Sequence, residues 1–336
     1  MDDATVRTPR TVETEGPDGV PVRVPATPAD DPDGLSPGDP RIRDRFQSEG
    51  YVVVRGLVPP AQCAAAAAAF DREVRPYPGF LYRQTTGEAE RHRWTAGGHL
   101  INPLLNVQSL PAATFPGFRA AGLAILTHAG MQQAGGAILG APPTLVQSMY
   151  FEGNPVTWAH QDSYYLDSER IGTMVAAWVA VEEIAPTAGR FYVYAGSHRV
   201  DPPRHGGDIS IAYSHDRYKS LVRRLVAEEG LALRAPALGP GDVLLWAAKT
   251  IHGSLPTTDV TRSRRSFTAH YIAAGDRFLQ FQRRVRPLRL ATVGGMAVHR
   301  PKDLNRALPR AVLALEGRFP RACRIAKKAA IKLVTR

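Results

Sequence analysis

His160 and Asp162 stand two residues apart in Trp158-Ala159-His160-Gln161-Asp162-Ser163. The run Trp158–Tyr165 reads as a strand, and on a strand positions i and i+2 share a face. An imidazole and a carboxylate so placed can grip one metal ion, with a third ligand from elsewhere. The best candidate is His252, in Lys249-Thr250-Ile251-His252-Gly253-Ser254, about ninety residues further on. Two imidazoles and one carboxylate on one face of an octahedron leave three positions open, the arrangement of non-haem Fe(II) oxygenases. Taken alone, His-x-Asp has a plainer reading: a surface turn in which Asp162 caps backbone and His160 packs on Trp158.

The elements that must position these residues are short. Helix is predicted over Asp44–Glu49, strand over Gly50–Arg55 and helix over Ala61–Val74. Residues 75–115 show no clear period, which fits either a cleft rim or ordinary surface loop. Phe118–Gly135 reads as one helix, and then the texture turns to strands over Thr144–Phe151, Trp158–Tyr165, Met174–Glu182 and Phe191–Tyr194. A polar insertion, Asp201–Gly230, carries a helix over Arg217–Glu229. Strands resume at Leu231–Ala235, Asp242–Ala247, Ile251–Leu255 and Arg264–Ala273. Short strands between turns, preceded by helices, predict a mainly β fold with flanking α: a jelly roll buttressed by helices.

Charge and composition bound the rest. The chain has 336 residues and a formal net charge of +11, but the charge is unevenly spread. Residues 1–40 hold nine acidic against three basic side chains, with few large apolar groups, which predicts a mobile acidic tail. Residues 41–280 are read as the catalytic domain. Residues 281–336 are read as a basic helical extension, with helices over Asp303–Glu316 and Arg321–Val334. In the second helix Ala322, Ile325, Ala329 and Leu333 form an apolar stripe beside Arg324, Lys327, Lys328 and Lys332. Such a helix either packs on the domain with a solvated basic face or lies on an anionic membrane or acidic partner. The chain has no apolar run of membrane-spanning length, and its start has no secretory signal. Cys63 and Cys323 have no CxxC spacing and read as reduced thiols of a cytoplasmic protein.

Four separated pieces, read together, carry a family resemblance. His160-Gln161-Asp162 is followed by Ala177-Trp178-Val179-Ala180-Val181-Glu182 with Ala188-Gly189. Ala195-Gly196-Ser197-His198 comes next, and then Gly241-Asp242-Val243 with His252 and Arg264-Arg265-Ser266. Over roughly residues 45–275 the chain resembles the phytanoyl-CoA dioxygenase family of Fe(II)/2-oxoglutarate-dependent oxygenases. It departs from the family at Ala188-Gly189-Arg190, where Asn-Gly-Pro is common, and at Ala195, where Pro often precedes Gly-Ser-His.

The resemblance implies a double-stranded β-helix, Fe(II) held by His160, Asp162 and His252, 2-oxoglutarate as cosubstrate and O2 as oxidant. Arg264 would bind the distal carboxylate of 2-oxoglutarate, for which a planar guanidinium is suited. Ser266, on the same strand face, would add a hydroxyl. Arg265 alternates to the other face, whereas Thr268 and His270 share the inward one. Gln147 and Trp178 are implied as cosubstrate contacts, each with a core-packing alternative. Tyr164, Tyr165 and Trp246 border a substrate or simply pack. His198 reads as a structural turn residue, and His99, His128, His205, His215 and His299 as surface or core.

Because family halogenases lack the carboxylate, Asp162 implies hydroxylation of an unactivated C–H bond rather than chlorination. Desaturation, epoxidation and cyclisation use the same oxidant and stay open, as does a jelly roll that binds a ligand without turnover. The substrate is expected to be a small molecule, and the basic C-terminus makes an anionic, carrier-linked or CoA-linked one attractive. Ala, Arg, Pro and Gly enrichment suggests a GC-rich bacterial genome and, with it, tailoring of a specialised metabolite. No nucleic-acid partner is expected, since the charge is clustered without a recognised binding module.

Overall fold

The computed structural model describes residues 8–206 and 214–326. Strict alternation of side chains builds its main sheet. In Val175–Ala180 and Val243–Ala247 the odd positions Val175, Ala177, Val179, Val243, Leu245 and Ala247 enter one core cluster. The even positions Ala176, Trp178, Ala180, Leu244 and Trp246 enter another. Both faces are therefore buried, and the sheet must be covered twice.

The strands lie in the order Leu290–Val293, Met296–His299, Pro143–Phe151, Ser266–Ala273, Val175–Ala180, Val243–Ala247, Tyr51–Val54. Neighbours are antiparallel except for the parallel pair of Met296–His299 with Pro143–Phe151. Leu104–Leu105 adds to the same edge of Pro143–Phe151. Helices Ile42–Glu49, Pro60–Ala69, Pro116–Leu126 and Ala129–Leu139 cover the outer face through Phe46, Ala66, Phe118, Leu123 and Met131. The inner face looks at a smaller sheet, Leu233–Arg234, Phe191–Tyr194 and His252–Ser254. Two sheets closing on an inner layer make the expected helix-buttressed double-stranded β-helix.

Several local expectations are corrected. Trp158–Tyr165 is not a strand: His160 forms an isolated bridge with His252, and Asp162–Tyr164 is a 3-10 turn. The helix predicted over Phe118–Gly135 breaks at Thr127–His128, where the Thr127 hydroxyl bonds the Leu123 carbonyl and the His128 backbone is extended. The segment expected to be a mobile tail over residues 1–40 is folded over its described part. Thr11–Glu15 and Pro21–Pro25 form a hairpin that buries Val24 and packs Val12 and Val22 on the domain. Few apolar groups suffice because the hairpin presents them all on one face. Residues 281–336 are not purely helical either, since Leu290–Val293 and Met296–His299 extend the main sheet. Helix Ala307–Arg318 follows, residues 320–326 are helical, and the rest of the helix predicted to reach Val334 lies outside the described residues.

Arg190, the departure from the family pattern, explains part of the tail's order. Fully buried, it donates to the carbonyls of Ile184 (2.9 Å), Pro25 (2.5 Å) and Ala26 (3.1 Å). Its guanidinium thus ties the N-terminal segment to the turn ahead of Phe191–Tyr194.

Candidate metal centre

His160 and His252 meet through their backbones. His160 N donates to His252 O (3.0 Å) and His252 N to His160 O (2.9 Å), which places their rings 4.3 Å apart between centroids. The bridge brings in the distant third ligand, while Asp162 is delivered by the 3-10 turn that follows His160 rather than by a shared strand face. Each Nδ1 faces a carbonyl at 2.9 Å, Trp158 O for His160 and Thr250 O for His252. A carbonyl can only accept, so Nδ1 carries the proton and Nε2 keeps its lone pair. Those two Nε2 atoms lie 3.5 and 3.6 Å from Asp162 Oδ1. The three ligand atoms fall within 4.8 Å of one another and could hold one metal ion.

The electrostatics suit a cation. Burial opposes charge on Asp162, yet the surrounding imidazoles, His252 and His270 first, hold its carboxyl well below the usual range. Burial pushes the His252 imidazole down to about 4, so it stands neutral at physiological pH, the form a metal requires. The outer oxygen of Asp162 is also fixed: Trp246 Nε1 donates to Oδ2 at 3.0 Å, and His270 Nε2 lies 3.3 Å from the same oxygen. Groups that orient a ligand typically account for about 10–100-fold in metal affinity. Trp246→Phe, which keeps an aromatic ring and removes the donor, is expected to weaken Fe(II) binding within that range in a direct metal titration.

The trio opens into a cavity lined also by Trp178, Phe191, Met149, Phe151, Arg264 and Thr268. Arg264 is 2 % exposed. Its guanidinium donates to Gly189 O at 3.2 Å, while Nε lacks a partner among the described residues. Burial alone pushes it down to about 9, with no acid to offset the cost. Gly189 itself has φ +79°, and a Cβ there would strike the Asn154 side chain and the Leu255 carbonyl. Only glycine brings that carbonyl to Arg264. Arg265, on the other side, bonds Asp71 (2.9 and 2.8 Å) and Glu152 (2.9 Å) and belongs to the surface network.

Residues 46–266 match the phytanoyl-CoA dioxygenase (PhyH) family. The chain belongs to that family. It is accordingly a non-haem iron, 2-oxoglutarate-dependent oxygenase, with Fe(II), 2-oxoglutarate and O2 as its cofactor set. The residues present fit both resident groups: a His-Asp-His trio for the metal, and a buried guanidinium without an acid for a dicarboxylate. A phytanoyl-CoA dioxygenase domain-containing protein 1 from Bos taurus is 24 % identical over 270 residues, 70 % of this chain and 90 % of that protein. Among solved structures, the alpha-ketoglutarate-dependent epimerase SnoN of nogalamycin biosynthesis shares the fold with TM-score 0.53 and 17 % identity, covering 78 % of this chain and 98 % of that one. EctD from S. alaskensis shares it with TM-score 0.52 and 19 % identity, covering 80 % and 87 %.

The other residues singled out in the sequence divide. Trp178 and Trp246 line the metal cavity of this family member, as do the inward-facing Thr268 and His270. Ser266 does not, because its hydroxyl turns back to the Arg264 carbonyl at 3.3 Å. Gln147 lines a neighbouring cavity. Tyr164 packs on Tyr218 beside a third cavity, and Tyr165 stands 6.0 Å from the His160 ring without lining the metal cavity. Burial and the Asp162 carboxylate push the Tyr165 hydroxyl up to about 12. His198 bonds the Gln47 carbonyl at a turn. Gln84, Met149, Phe151, Thr157, Phe191 and Ser254 also line the cavity and were not singled out. Met149 and Phe151 could have been found, since they continue the face of Gln147 along one strand.

Proposed function

We propose that the chain hydroxylates an unactivated C–H bond of a small-molecule or carrier-linked metabolite, with His160, Asp162 and His252 holding Fe(II) and Arg264 receiving the distal carboxylate of 2-oxoglutarate. The observation that carries the reading is the buried Arg264, whose charge has no acid to meet in a cavity that ends at the His-Asp-His trio. When bound, iron, 2-oxoglutarate and O2 supply the two-electron oxidation, with succinate and CO2 as co-products. The chain's own residues do the rest. Trp246 and His270 fix the Asp162 carboxylate, and the two Nδ1 contacts fix the imidazoles. Trp178 and Phe151, with their rings 6.0 and 5.4 Å from the Arg264 guanidinium carbon, keep water from that charge. A dry site strengthens the pairing of guanidinium and carboxylate.

Retention of Asp162 supports hydroxylation over halogenation. Desaturation, epoxidation and cyclisation differ from hydroxylation in where the substrate carbon rests, and the fold neighbours include the epimerase SnoN and the carbocyclase SnoK. The likeness to enzymes of nogalamycin biosynthesis supports specialised metabolism as the setting. Anaerobic addition of Fe(II) and 2-oxoglutarate should give the weak visible band of the chelate, and a succinate-release screen over candidate metabolites should find substrate-dependent turnover. Absence of the band, in protein that binds the metal, would sink the reading and favour a binding jelly roll.

No helix among the described residues is long and apolar enough to cross a membrane. The basic C-terminal section has a face that supports contact with an anionic surface: Leu308, Val312, Leu315 and Phe319 are exposed at helical spacing, with Arg318 and Arg321 beside them. Sedimentation with phosphatidylserine vesicles, lost in a Leu308→Asp/Leu315→Asp variant, is the expected result.

A further inference from the structure

A second cavity opens where the main sheet is left incomplete. Two short strands pair with one edge of Pro143–Phe151: Leu104–Leu105 at Met149 and Tyr150, and Met296–His299 at Thr144 and Leu145. Between them Val146 and Gln147 have no partner strand on that edge among the described residues, and both line the cavity. Gln147 stands opposite His270 in the register, just before the bulge between His270 and Tyr271. Met149, two residues along the same face, already lines the metal cavity. Two strand residues span about 7 Å. The two cavities therefore lie end to end along one strand.

The polar lining of this second cavity is one-sided. Arg286, His299, Lys302, Gln147, Gln280 and Asn106 contribute to it, and neither Asp nor Glu does. His299 is 5 % exposed, and its Nδ1 accepts from Arg289 N at 2.8 Å. A neutral ring then carries its proton on Nε2, as a donor. Lys302 sits 3.7 Å above the Tyr82 ring and 3.9 Å from Glu316, so its charge is partly matched. Arg286 is half-buried, and its guanidinium has no ion-pair or hydrogen-bond partner among the described residues. All three cationic or imidazole groups lie beyond residue 266, where the family match ends.

We propose that this cavity holds an oxyanion of the substrate, a carboxylate or a phosphate, on Arg286 with His299 and Gln147 as further donors, while the carbon to be oxidised reaches past Met149 to the metal. The inference rests on the oxygenase reading for the position of the oxidised carbon, and it assigns the anchoring end of the substrate to the chain's C-terminal section. Substrate class is thereby set by residues outside the shared family core.

The test is calorimetric titration of the anaerobic protein loaded with Fe(II) and 2-oxoglutarate, using matched probes: hexanoate against hexanamide, and hexyl phosphate against hexanol. The charged member of at least one pair should bind at least about tenfold tighter, equivalent to roughly 1.4 kcal/mol. The pair that shows the preference separates a carboxylate from a phosphate. Arg286→Gln should remove most of the preference and Arg286→Glu should reverse it. Equal affinities within both pairs, no measurable binding of either anion, or an unchanged preference in Arg286→Gln overturns the proposal. The chelate band, recorded before any probe is added, reports on the oxygenase reading separately.

Discussion

Asp162→Ala is expected to abolish substrate-dependent succinate formation while leaving the fold intact. Loss of an outer-shell partner already costs about 10–100-fold, so loss of the only carboxylate ligand should exceed the upper end of that range. The fold should survive because the change also removes a buried carboxylate. Its cost is the two donors left behind, Trp246 Nε1 and His270 Nε2, at about 1–3 kcal/mol for each buried group left unsatisfied. His160→Ala should do the same to activity. Circular dichroism and Fe(II) titration on the same samples separate metal loss from unfolding. Full activity in either variant would refute the ligand assignment.

The parts legible in the sequence are those governed by local pattern. Val175–Ala180 and Val243–Ala247 are short apolar runs between turns, and in Ser266–Ala273 the core residues Phe267, Ala269 and Tyr271 alternate with Ser266, Thr268 and His270; both patterns are visible without coordinates. The pattern also put Arg265 outside and Thr268 and His270 inside. What local pattern could not supply is pairing between distant segments. His160 is joined to His252 by a backbone bridge across about ninety residues, and Asp162 is delivered by the 3-10 turn after His160 rather than by a shared strand face. Gln147 follows the regular alternation as far as the bulge, and the cavity it lines is decided by which strands stop short at that edge. Ser266 has the predicted orientation along its strand but spends its hydroxyl on the Arg264 carbonyl.

Composition misled at both ends for a common reason. The acidic N-terminal segment is poor in apolar residues, but Val12, Val22 and Val24 fall on one hairpin face and find a core supplied by the rest of the chain. The basic C-terminal section likewise contributes Met296 and Val298 to the main core. A composition average discards the period-2 placement that decides whether a segment docks.

Arg264→Met should separate a ligand-binding arginine from a structural one. Truncating one partner of a buried, hydrogen-bonded charge pair costs about 2–5 kcal/mol, so the apparent KM for 2-oxoglutarate should rise at least about 30-fold, with a smaller effect on kcat at saturation. Stability gives an independent reading. Without cosubstrate, the wild-type guanidinium is buried with one carbonyl contact and no acid, and an apolar replacement of similar length relieves that cost. The variant without ligand should therefore melt at the same temperature as wild type or higher. Adding 2-oxoglutarate at about 100 times its dissociation constant should stabilise wild type by about 2.7 kcal/mol and the variant hardly at all. A lower melting temperature without ligand, together with an unchanged KM, would mean that Arg264 serves the fold through Gly189 rather than the cosubstrate.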